Sequence, residues 1–134
     1  AACASGLQMT TALVASDDTL LLEPLETKQA REILGNLLVA WEVGMSHPLP
    51  IAVKTAFAWL AQTDSDKAAA AAQKAYEGDG QTSDGERRES AALARQFPDY
   101  AALMAGDEFE EWCDALYRPL FDAPWRSLNS EASR

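Results

Sequence analysis

The sequence predicts an α+β fold that is predominantly helical: an N-terminal β-hairpin followed by about five or six helices. Three observations carry this. Leu7, Met9, Thr11, Leu13 and Ala15 alternate at period two, and a leucine-rich run from Thr19 to Leu25 follows the turn-forming pair Asp17-Asp18. From Ala30 onward the apolar residues recur at helical spacing instead. Proline, glycine and capping residues then cut the rest of the chain into helix-length pieces.

Pro24 ends the hairpin, which occupies residues 1–25, and the helical part runs over 26–128. Thr27 is placed to N-cap the first helix. Behind it Ala30, Ile33, Leu34, Leu37, Leu38, Trp41 and Met45 form one broad apolar stripe, with Lys28, Arg31, Glu32, Asn36 and Glu42 on the other side. Gly44 lies near the helix end. His47-Pro48-Leu49-Pro50 then fixes two φ angles and disfavours α conformation at the residues before each proline, so an extended elbow must separate this helix from the next.

The second helix is expected from about Ile51 to Ala61, with Val53, Ala56, Phe57 and Leu60 inward. Asp64 or Asp66 can cap a third, built on Ala68 to Ala72 and ending near Tyr76. Its alanines favour helix but bury little surface, so it packs closely on a neighbour or lies half exposed. Residues 78–89, Gly78 to Glu89, are polar and glycine-rich and read as a mobile loop. Ser90 can cap a short helix through Phe97, Pro98-Asp99 restart another, and Asp107 caps the last. That last helix carries Phe109, Trp112, Cys113, Leu116 and Leu120 as its stripe, and Pro119 should kink or end it. The tail beyond Leu128 is short and polar, and the chain holds no internal repeat.

A chain of 134 residues is expected to form one domain, 1–134, and to bury roughly 68% of its unfolded surface. Hydrophobic content of 48%, with four Trp, four Phe and three Tyr, supports a real core. No stretch approaches the ~20 consecutive apolar residues of a membrane span. The chain starts without Met, and Ala1 to Gly6 lacks the basic start and apolar run of a signal peptide. A C-terminal fragment of a longer protein, cut just before Leu7, is the expectation. Cys3 and Cys113 fit no metal-ligand spacing. They could pair, but without a secretion signal reduced thiols and a cytoplasmic location are expected. A net charge of −10, with 11 scattered Lys and Arg, argues against a self-sufficient nucleic-acid surface.

Three sets of residues invite a chemical reading. Asp17, Asp18, Glu26 and Lys28 superficially match the Asp…Glu-x-Lys set of metal-dependent nucleases, in which carboxylates bind Mg²⁺ and a lysine serves the attacking water. Those groups must project together from adjacent strands, whereas these lie in a turn and at a helix start. Asp79, Ser83, Asp84 and Glu86 could hold Ca²⁺ weakly, yet lack EF-hand spacing. His47, the single histidine, has no evident nucleophile or charged neighbour in sequence, and its place before Pro48 makes it an elbow residue. The Trp and Phe residues sit on apolar stripes and are expected in the core. No catalytic, cofactor or metal residue is assigned.

Leu22-Glu23-Pro24-Leu25 leads into the first helix, followed by Gly44-Met45-x-x-Pro48-Leu49-Pro50. Lys54-Thr55-Ala56, Ala58-Trp59-Leu60 and Ala75-Tyr76-Glu77-Gly78 come next, then Ala92-Leu93-Ala94-Arg95-x-Phe97-Pro98-Asp99. In this order and spacing the chain, from Leu20 to about Leu120, resembles the C-terminal region of the RecC family, the gamma chains of exodeoxyribonuclease V. The residues marking it are Pro24, Trp41, Gly44, Pro48, Pro50, Lys54, Trp59, Tyr76 and Gly78.

The resemblance implies the remnant of a nuclease-like domain that has lost its catalytic residues. It implies a non-catalytic module of a bacterial helicase-nuclease acting in double-strand break repair and recombination, serving subunit assembly and strand guidance. Its implied partners are the beta and alpha chains, with DNA met through the whole complex and only weakly alone. Mg²⁺ and ATP would be used by the parent complex, none of it by this part. The alternative is an independent acidic helical protein-interaction domain.

Overall fold

The computed structural model describes residues 1–80 and 84–128. The fold is α+β and mostly helical, as expected, and the chain divides into two compact units: residues 1–39 with 122–134, and residues 40–121.

In the first unit a 3₁₀ turn, Cys3–Ser5, precedes strands β1 (Thr11–Val14) and β2 (Thr19–Leu22). They pair antiparallel, Thr11 opposite Leu22 and Val14 opposite Thr19. The turn forms because Ala15 N–H donates to the Asp18 carbonyl (2.8 Å) while the Asp18 side chain accepts from Thr19 N–H (2.7 Å). A third strand, β3 (Trp125–Ser127), joins β2 antiparallel, giving the order β1-β2-β3. It corrects the assignment of residues 26–128 to helix alone. Three residues carry no readable period, and only pairing with β2, helped by Arg126–Glu23 at 3.1 Å, makes them a strand.

Helix α1 (Thr27–Gly44) starts with Ala30 N–H bonded to the Glu26 carbonyl. That puts Glu26, one residue before Thr27, at the capping position. Arg31 Nε reaches back to the Ala4 carbonyl at 2.8 Å and ties the N-terminal turn to the helix.

The second unit begins with the last turn of α1 and the elbow. Pro50 is buried and Pro48 exposed, Ile51 N–H closes a tight turn around Pro50 onto the Leu49 carbonyl (2.8 Å), Ala52 is extended, and Leu49 folds against Gly44. Then come α2 (Val53–Leu60), α3 (Ser65–Glu77), α4 (Gly85–Glu89), α5 (Ala91–Gln96), α6 (Tyr100–Leu103) and α7 (Glu108–Trp112). Asp64, Ser90 and Asp99 cap α3, α5 and α6 through their side chains. Asp107 stands at the start of α7 but makes no side-chain cap, contrary to expectation.

Ala52, Ala56, Leu60, Tyr76, Leu103, Phe109 and Cys113 form the core, flanked by Trp59, Phe97, Tyr100 and Tyr117. Trp59 meets Phe109 edge-on, ring centres 6.1 Å apart. The alanine-rich α3 lies against α2, with Ala68 and Ala72 buried, so small side chains serve close approach. Val53, expected inward, is exposed, because Ala52, Ala56 and Leu60 occupy the buried side of α2.

Pro119 neither ends nor breaks the last helix. The chain widens into a π turn over Cys113–Tyr117, with Arg118 N–H bonded five residues back to the Cys113 carbonyl, and continues as α8 (Arg118–Phe121). The wider turn accommodates a proline ring that cannot donate a backbone bond.

The glycine-rich run is shorter as a loop than its composition suggests. Residues 85–89 are helical, while residues 81–83 lie outside those described, as does the tail beyond Leu128.

Candidate functional site

The fold places the residues of the nuclease-like and calcium-like sets in separate structural settings. Asp17 and Asp18 form the hairpin turn, Glu26 precedes α1, and Lys28 lies in its first turn. Asp84 pairs with Arg88 at 2.6 Å and Asp79 lies 4.0 Å from Lys74. Ser83 is outside the described residues. Among the described residues no cluster of three or more His, Cys, Asp or Glu side chains is placed to hold a metal ion. His47 is exposed at the elbow.

Glu86 has a structural task. Its carboxylate accepts from Lys54 N–H (3.1 Å), Thr55 N–H (2.9 Å) and the Thr55 hydroxyl (2.9 Å). Ala52, the residue before α2, has no side-chain oxygen to offer the first turn's orphan N–H groups. Glu86 supplies that cap from 31 residues downstream, and Lys54 Nζ adds a 2.6 Å pair with Glu89. Thr55 is fully buried, so its hydroxyl depends on this partner. Lys54 and Thr55 were visible only as motif residues, since sequence spacing gives no hint of a cap so distant.

The buried acids of the core are tuned away from reaction. Burial, reinforced by Asp114 and Glu110 and opposed by Arg118, pushes the Cys113 thiol up to about 12. It stays protonated at neutral pH and offers no nucleophilic thiolate. Burial likewise lifts Tyr76 to about 12, and raises Tyr100 and Tyr117. The Tyr76 hydroxyl donates to the Phe97 carbonyl at 2.6 Å.

These shifts favour the protonated forms in the folded state. On raising the pH the unfolded chain loses its protons first, near the ordinary 9.0 of Cys and 10.0 of Tyr. Stability should therefore be whole below pH 9 and decline between about 9 and 12. Urea midpoints across that range test this, and Cys113→Ala should reduce the slope. A midpoint rising with pH would contradict it.

What remains open is apolar. In the first unit a cavity of about 200 Å³ is lined by Cys3, Met9, Leu22, Leu25, Ile33 and Leu34, among others. Leu37 lies at its rim and Leu38 beside it, 51% and 58% exposed. Further along α1, in the second unit, Trp41 and Met45 are 67% and 72% exposed. The periodic stripe of α1 thus exists, but the expected burial of Trp41 does not. Ala30 and Ala40 are the buried residues of this helix. In the first unit, the exposed Leu37 and Leu38 beside an apolar cavity are the kind of open apolar surface that marks interaction sites.

The family model of the RecC C-terminal domain matches residues 1–64. Over those residues the chain is similar to the RecC C-terminal domain. Comparison with curated proteins and with solved structures gives no match. The RecC-type segment contains the hairpin, the cavity, α1, the elbow and α2. Pro24, Trp41, Gly44, Pro48, Pro50, Lys54 and Trp59 fall inside it, Tyr76 and Gly78 outside. No helix among the described residues is long and apolar enough to cross a membrane.

Proposed function

We propose that this chain is a non-catalytic C-terminal module of the gamma subunit of exodeoxyribonuclease V, working in the cytoplasm to hold the complex together. Its apolar surface in the first unit docks the alpha chain, and the assembled complex uses the module to help guide separated DNA strands. The beta and alpha chains supply the ATP- and Mg²⁺-dependent chemistry. The observation that carries this reading is the exposed leucine row of α1 beside the cavity, inside the RecC-type segment. The acidic net charge of −10 supports a surface for protein rather than for phosphate.

The test is co-purification of the complete gamma chain carrying Leu37→Ser and Leu38→Ser with both partners. Both side chains are more than half exposed, so the two substitutions together should change stability by only about 1 kcal/mol, checked by circular dichroism. Recovery of the alpha chain should fall while the beta chain keeps its nuclease activity. Undiminished recovery of the alpha chain would end the docking assignment.

The module alone should bind DNA only weakly at physiological salt and degrade neither single- nor double-stranded DNA with Mg²⁺ or Mn²⁺. Degradation abolished by Lys28→Ala would instead establish a nuclease.

A further inference from the structure

We draw no further inference here: the strongest candidate, the outer edge of strand β1 with the exposed Leu7, Met9, Leu13 and Val14 around it, offers backbone groups for an added strand, but nothing in the structure shows what covers it.

Discussion

Gly85→Ala should destabilise the second unit by roughly 3 kcal/mol or more, through the sum of two backbone effects and one lost cap. Gly85 is buried with φ +71°, a left-handed conformation that costs an ordinary residue about 1–2 kcal/mol. A Cβ there would stand 2.4 Å from the Glu77 carbonyl carbon and the Gly78 nitrogen, and 2.5 Å from the Tyr76 oxygen. All three are backbone atoms, which cannot rotate aside. Relief requires α4 to lift from the end of α3, and α4 carries Glu86. Withdrawing that carboxylate uncaps α2, at about 0.5–2 kcal/mol, and strands the buried Thr55 hydroxyl.

Gly80 is the matched control: its φ is also +71°, but among the described residues a Cβ there meets nothing within 4 Å. Gly80→Ala should therefore cost only the backbone term. Urea unfolding of both variants, with hydrogen exchange at the Lys54 and Thr55 amides, reads the difference. Equal midpoints for the two would refute the steric account. Unchanged amide protection in Gly85→Ala would show that α4 does not carry the cap.

Phe109→Ala should cost about 3–5 kcal/mol, the loss typical of a buried aromatic. Phe109 is 1% exposed, wedged edge-on against Trp59 in the core of the second unit. Trp41→Ala, which the sequence would rank as equally damaging, should cost under about 1 kcal/mol, because two thirds of that residue already faces solvent. Thermal melts of the two variants decide it. A loss at Trp41 as large as at Phe109 would mean that the indole is held in a packed site after all. Its effect should emerge instead in the assembled complex, if the α1 face is where a partner sits.

Local order was legible in the sequence wherever neighbours along the chain dictate conformation. Asp17-Asp18 turned the hairpin, Asp64, Ser90 and Asp99 capped their helices, and the prolines at 48 and 50 kept the elbow out of helix. Each depends on contacts within a few residues, where side-chain hydrogen bonds and fixed φ angles act directly. The periodicity of α1 was equally plain, and the first 64 residues match the RecC C-terminal domain model.

Where the periodicity pointed was a different matter. Hydrophobic spacing says which residues share a face, not whether anything covers it. Leu37 and Leu38 in the first unit are left open, as are Trp41 and Met45 in the second, while Ala30 and Ala40 take the buried positions. The polar run GDGQTSDGERRE carries every sign of a loop, yet its second part folds as α4. Its carboxylate finds donors that lie 31 and 32 residues away. β3 likewise exists only because β2 offers it a ladder. By itself the sequence determined the local turns, caps and helical periods, together with the RecC-like character of residues 1–64. The tertiary structure alone decided which apolar face stays exposed, where the remote cap of α2 comes from and which glycine cannot be replaced. Burial, long-range capping and backbone contact are relations between segments distant along the chain, and no local pattern encodes them.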